Sequence, residues 1–322
     1  MRRGNADGPA YPGLVLTLAY DDWVARAEAH AARADAITAD RRARAAGGQT
    51  HAVDDFLYDY YGVRPGPLRR WHPGAGVRLA GAPDGTASSL GEQRWYTADD
   101  DGAVRLDLSA YLAARGETVR YVAHLLRSTA SRPAHTGCFG LHEWAMVYRQ
   151  DDPHRRHRLP LRLGREATDA VVEQHPIRCS HIDAFRFFTP AAAPLNRLQP
   201  TRETQAEMEQ PGCLHANMDL AKWALKLGPV VPGELLLDCV ELTREVRRLD
   251  MQASPYDVSS LGERAVAIET PEGKAEYVAR QREFAGRAAT LRERLLGVCD
   301  GALAGVTPLS AVDVSAAAAP SV

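Results

Sequence analysis

From about Leu14 to Ala46 the chain is dense in Ala, Arg, Asp and Glu, and Gly47 and Gly48 come directly after. Strong helix formers over that length, closed by glycine, predict one long helix. The same alternation of helical run and breaker governs most of the remaining chain. HAVDDFLYDYYG, from His51 to Gly62, predicts a short amphipathic helix. ETVRYVAHLLRSTASR sets Val119, Val122, Leu125 and Leu126 on one face, and Pro133 and Gly137 end it. GLHEWAMVYR is a compact helix, and TDAVVEQH another with Thr168 as its N-cap. Two more helices run from about Leu214 to Leu227 and Glu234 to Met251, and a last one from about Gly273 to Gly297.

Between the helices, GVRLAG, QRWYTA and AVRLDL have strand character, with Gly and Asp at the turns. PGPLRRWHPGAG is a turn-rich loop, DDPHRRHR a charged surface loop, and four prolines from Pro190 to Pro211 make an irregular connector. The expected fold class is mainly α: a single helical domain over residues 14–307 with a small β meander near residues 76–106. A flexible arm (residues 1–13) and an Ala-rich tail (308–322) flank it.

A chain of 322 residues can bury a sizeable core, and its 45% hydrophobic and 25% charged content is ordinary for a soluble domain. The net charge of −2 lends nucleic acid no support as a partner. Two arginines follow Met1, but no apolar segment follows them, and no run is long enough to span a bilayer. The expectation is a cytoplasmic protein without a membrane partner. Five cysteines, an odd number without a CxxC pair, make neither a disulfide framework nor a zinc ribbon.

Three of those five cysteines stand just upstream of a histidine, in CFGLHEWAM, RCSHIDAFRFF and CLHANMD. Cys138 and His142 are spaced i, i+4, which a helix places on one face. Cys179 and His181 are spaced i, i+2 and share a side only in extended chain, where Asp183 would join them. His215 and Asp219 are i, i+4 on the helix that begins there, with Lys222 and Trp223 extending the face. Each segment therefore pairs a histidine with a near carboxylate: His142 with Glu143, His181 with Asp183, His215 with Asp219. His142 and Glu143 are adjacent on a helix and point about 100° apart, so both do not face one centre.

Imidazoles with carboxylates suit a mononuclear transition metal such as iron or zinc, and equally suit acid–base chemistry without one. A haem on one of the histidines would leave no sequence motif of its own. HExxH, ExxH and the zinc-deaminase pattern are all missing. The candidate metal ligands are His142, His181 and His215, and the candidate catalytic carboxylates are Asp183, Asp219, Glu143 and Asp238. Trp71 in RRWHPG, Arg186 in the FRFF cluster, Asn217, Trp223 and Tyr256 are candidate contacts for a small-molecule substrate. Tyr256 is grouped with Asp250 and Asp257 around Pro255 at a helix end, where capping and turn formation explain the carboxylates equally well. Asp238 belongs to an acidic stripe with Glu241 and Glu245 that also reads as a solvated face paired with arginines.

The phrases DDFLYDYYGVRPGPLRRWHPGAGV, GCFGLHEWAMVYR, IRCSHIDAFRFFTPAAAPLN, EQPGCLHANMDLAKWALKL and RRLDMQASPYD together resemble an actinobacterial family commonly labelled 3-methyladenine DNA glycosylase. The resemblance runs from about residue 51 to the last helix. It implies a hydrolase in which a flipped, cationic alkylated base stacks on Trp71, Trp144 or Trp223, while Asp183, Asp219 or Asp238 assists cleavage of the N-glycosidic bond. The chain departs from glycosylases of that activity. A helix-hairpin-helix glycine motif followed by an aspartate is missing, and GPVVPGELLLD is only a faint echo of one. Three readings stand: a metal- or haem-dependent enzyme on a small molecule, an N-glycosidic hydrolase, and a non-catalytic ligand-binding protein.

Overall fold

The computed structural model describes residues 16–83, 88–150 and 158–305. The expected arm, the tail and nearly all of the charged loop at 151–158 lie outside the described residues. The molecule is mainly α-helical with one small sheet, as the alternation of runs and breakers requires. The sheet has four strands: β1 (Leu16–Leu18), β2 (Val77–Leu79), β3 (Tyr96–Ala98) and β4 (Val104–Leu106), in the order β1–β2–β4–β3. β1 runs parallel to β2, and the other pairs are antiparallel. The three expected strand segments are present. The fourth strand comes from residues expected to begin the first helix.

The helices are α1 (Tyr20–Ala46), α2 (Phe56–Asp59), α3 (Pro65–Leu68), α4 (Leu108–Ala130), α5 (Leu141–Ala145) and α6 (Gly164–Gln174). They continue with α7 (Ile182–Phe185), α8 (Gln205–Met208), α9 (Leu214–Leu227), α10 (Gly233–Gln252) and α11 (Pro271–Leu303). The long helices fall where expected, within a turn or two. α4 begins at Leu108, where the helical signal returns after the strands, because Asp107 caps it, accepting from the Ala110 amide at 2.9 Å. Thr168 is not an N-cap. It lies inside α6, and its hydroxyl donates to the Gly164 carbonyl at 2.6 Å. In the proline-rich connector, Thr201 and Thr204 each take the other's backbone amide through a hydroxyl, which turns the chain into α8.

The core lies where α9 and α10 pack along each other and against α4 and α11. Met218 and Leu220 of α9, Val240, Val246 and Leu249 of α10, and Leu295 of α11 are fully buried. Each such side chain contributes roughly 1.5–3 kcal/mol through burial. Among the described residues no helix is long and apolar enough to cross a membrane.

Two glycines of α11 carry opposite consequences. A Cβ on Gly273 would stand 1.9 Å from the Ala267 carbonyl oxygen, so only glycine lets the helix start this close to the preceding loop. A Cβ on Gly286 meets nothing within 4 Å. Gly273→Ala is expected to destabilise the protein by about 2 kcal/mol or more. Gly286→Ala is expected to stabilise it by up to about 1 kcal/mol. Chemical denaturation of the two variants checks both signs.

Candidate functional site

The site is a column of buried polar side chains held by five short or central helices. At its closed end α5 meets α10. The chain reaches α5 through Phe139 and Gly140, both in the left-handed region at φ 48° and 72°, and so turns back on itself. That reversal brings Cys138 Sγ to 3.5 Å from His142 Nδ1. The other face of the ring, His142 Nε2, lies 2.8 Å from Asp250 Oδ1 of α10. Asp250 Oδ2 accepts from Arg247 Nη1 at 2.7 Å, and the same nitrogen donates to Glu143 Oε1 at 2.9 Å. Arg247 is only 2% exposed. Burial opposes charge on His142, but the Asp250 carboxylate outweighs it and holds the imidazole well above its ordinary pKa. Burial also opposes ionisation of Asp250, which His142 and Arg247 nevertheless keep far below the usual carboxylate range.

The middle of the column is His215 of α9. Its ring centroid is 4.5 Å from that of His142 and 5.4 Å from that of His181. Burial, reinforced by the charge on His142, pushes His215 well below its ordinary pKa, so it is the neutral member of the row. Cys138, Cys179 and Cys213 all line one small cavity of about 10 Å³ together with His142 and His215. The three cysteines singled out by their histidines do converge. Burial pushes the Cys179 and Cys213 thiols up, which makes them poor nucleophiles.

The third section surrounds His181, which is fully buried just ahead of α7. Its Nε2 faces two carboxylate oxygens, Glu209 Oε1 at 3.2 Å and Asp219 Oδ2 at 3.5 Å. Neither is aligned as a hydrogen bond, and neither ring nitrogen has another partner among the described residues. Burial lowers the His181 pKa, but Glu209 and Asp219 outweigh it and raise it to about 9. The two carboxylates are themselves held in place. Gln205 donates to Glu209 Oε1 at 2.5 Å, Tyr61 to Asp219 Oδ1 at 2.8 Å, and Lys222 to Asp219 Oδ2 at 2.9 Å.

Lys222 carries the column outward. Its ammonium also donates to Asp183 Oδ2 at 2.7 Å, and Asp183 Oδ1 accepts from Arg202 at 2.7 Å. Asp183, Lys222 and Tyr61 form part of the lining of an open cleft of about 700 Å³, with Arg186 and Trp223 also on its walls. Burial raises the Asp183 pKa, but Lys222 and Arg202 bring it down to about 2. Asp219, against the same opposing burial, is held low by His181 and Lys222.

None of the three local pairings expected from sequence forms as such. His142 pairs with Asp250, while Glu143 serves Arg247. His181 faces Glu209 and Asp219, while Asp183 points to the cleft because α7 begins directly after His181, so that segment is not extended. His215 has imidazoles on either side, and Asp219 serves His181, Lys222 and Tyr61. Arg186 and Trp223 do line the cleft.

Five candidates stand outside the column's chemistry. Asp238 is tied to Arg33 and Arg294 across helix surfaces, as the solvated-stripe reading implies, although with partners from α1 and α11. Trp71 is buried with its indole N–H on Glu234 at 2.9 Å, and Trp144 is fully buried on the Ala253 carbonyl. Tyr256 packs in a satellite cluster with Val53, Val147, Met251 and Val258. Asn217 is a buried support that accepts from Arg292 at 2.6 Å and donates to the Pro211 carbonyl.

Sequence reasoning misses Glu209, Arg247, Tyr61 and Arg202, and it marks Asp250 only as a carboxylate at a helix end. Two groups among the described residues have ligand atoms close enough for one ion: His142, His215 and Asp250, and His181, Glu209 and Asp219. Comparison with family models, curated proteins and solved structures gives no match.

Two outcomes are expected from the charges. Asp183, Asp219 and Asp250 have folded-state pKa values below their unfolded ones. The stability they contribute is present above the ordinary carboxylate range and is lost as pH falls from about 4 towards 2. Thermal unfolding followed across that window should show a steep decline, shallower in Asp183→Asn. Asp250→Ala leaves Arg247 and His142 buried without their carboxylate and is expected to cost about 3–5 kcal/mol, read by urea denaturation.

Proposed function

We propose that this protein is a metal-dependent enzyme acting on a small molecule, with the ion held by His181, Glu209 and Asp219 beneath the cleft. One observation carries the reading. A fully buried imidazole nitrogen stands 3.2 and 3.5 Å from two carboxylate oxygens and is aligned with neither. Donors bound to one transition ion at roughly 2.1 Å stand about 3–4 Å from one another, so these separations suit a shared ion better than hydrogen bonds. The His142–Asp250 pair, by contrast, is an aligned contact at 2.8 Å and reads as an ion pair. The donor set of one imidazole and two carboxylates suits iron, zinc or manganese. A haem fits less well, because the space enclosed between His142 and His215 is about 10 Å³.

A bound ion would supply Lewis acidity or an activated water. The chain's own residues do the rest. Tyr61 fixes Asp219, with its phenol pushed up by burial and by that carboxylate, so it stays a donor at neutral pH. Gln205 fixes Glu209. Lys222 spans Asp219 and Asp183 and so links the buried carboxylate to the cleft wall.

Support for the N-glycosidic reading is narrower. It rests on the resemblance, and the one of its candidate carboxylates that lines the cleft, Asp183, is already committed to Lys222, Arg202 and Arg186.

Elemental analysis of the purified protein, repeated after incubation with ferrous iron and with zinc, tests the proposal. Near-stoichiometric metal is expected, reduced at least about tenfold in affinity in His181→Ala with the fold retained by circular dichroism. Stoichiometric metal in that variant would remove His181 as a ligand. Lys222 places a cation on the same Asp219 oxygen, so Lys222→Met is expected to bind metal about tenfold more tightly or better. In the metal-free protein His181 is protonated at neutral pH, so loading releases a proton, which calorimetry in buffers of different ionisation enthalpy detects.

A further inference from the structure

We propose that the cleft selects a small molecule that joins a planar ring to an oxyanion, either a carboxylate or a phosphate. This rests on the reading of the cleft as the substrate site, but its evidence is the cleft wall and not the metal ligands. A volume of about 700 Å³ suits a ligand of metabolite size.

The wall is cationic. Arg186, Arg202, Lys222 and Lys226 all line it. Two carboxylates, Asp183 in the wall and Asp219 beneath it, engage the first three of these cations, Arg186 and Arg202 through Asp183 and Lys222 through both. The remaining lining carboxylate, Glu117, pairs with Arg120 on its own helix and faces solvent. Four cations against two carboxylates leave two positive charges without a counterpart. Lys226, one turn beyond Lys222 on α9, has no ion-pair partner among the described residues. Arg202 also donates to Gln205 and Arg186 to the Tyr60 hydroxyl, and each has further guanidinium N–H groups beyond these and the ones that meet Asp183, on a planar group that suits carboxylate and phosphate.

The same wall is aromatic. Tyr121 of α4 is 41% exposed, one of few large apolar side chains left open to solvent. Trp223 backs it edge-on at 5.8 Å and supports the ring. Tyr60 also lines the cleft, stacked on Phe56 with an interplanar angle of 11°. Rigid rings beside uncompensated cations recognise a flat body and a negative group together.

The test uses full-length protein stripped of metal by a chelator, so that no bound ion contributes. Isothermal titration calorimetry compares 2-naphthoate, neutral 2-naphthamide and non-planar cyclohexanecarboxylate. The expected result is 2-naphthoate at least about tenfold tighter than either of the others. Lys226→Ala is expected to reduce the preference for the anion at least about threefold, and Tyr121→Ala the preference for the ring to a similar degree. Naphthamide binding as tightly as naphthoate, or no binding of naphthoate at millimolar concentration, overturns the proposal. Neither outcome touches the metal-content measurements. Loss of metal in His181→Ala likewise leaves the ligand series unchanged, so the two readings fail separately.

Discussion

A buried guanidinium organises the closed end of this protein. Arg247 is 2% exposed, and its removal from water is tolerable only because Glu143 and Asp250 both meet it. Those two carboxylates come from different helices, α5 and α10, so the requirement to satisfy one charge fixes how the helices sit. Once Asp250 is committed to Arg247 through one oxygen, its other oxygen fixes His142, and the His142 ring then sets the edge against which His215 packs. Apolar packing of α9 and α10 supplies most of the stabilisation, but it would tolerate small slides of one helix on the other. The ion pairs do not, because a shift of an ångström would leave a buried charge alone.

Charge balance connects this end of the column to the other. Around Arg247 two carboxylates, Glu143 and Asp250, face one fixed cation, and around His181 two more, Glu209 and Asp219, face Lys222. Each end is therefore short of one positive charge, while Asp183 in the cleft wall meets Arg202 and Arg186 as well. Protons on His142 and His181 supply the two charges, and both imidazoles are raised while the one between them is lowered. A divalent ion at His181 would displace that proton and bring one positive charge more than it. The row of three rings therefore alternates charged, neutral, charged because like charges at 4.5 and 5.4 Å would repel strongly in so dry a site.

How far the sequence could be read depended on the range of each interaction. Helices such as α9 and α10 are written in their own composition and breakers, and their expected limits agree with the structure to a residue or so. The three Cys–His segments were also legible, since an unusual local coincidence marked them, and they do meet at one cavity. Which carboxylate serves which histidine was not legible. Sequence proximity suggested Glu143, Asp183 and Asp219, but His142 takes a partner 108 positions away and His181 takes Glu209 and Asp219. Glu209 sits in a polar, proline-bounded stretch with no periodicity to flag it. Arg247 lies in an arginine-rich helix turn where a solvated role is the ordinary expectation. Asp238, with a similar local setting, does have that role.

The two ends of the column differ in what a change of state would cost, and that difference separates structure from chemistry. Around Arg247 both carboxylates and the imidazole are aligned with their partners, the guanidinium Nε lacks one among the described residues, and none of these groups lines the open cleft. Around His181 the nitrogen is misaligned with both carboxylates, one of those carboxylates is shared with a lysine, and that lysine reaches the cleft wall. A buried imidazole left unsatisfied at both nitrogens is costly unless something else completes it. The proposed ligand-binding chemistry is therefore placed at the His181 end, with the Arg247 end as the frame that holds it.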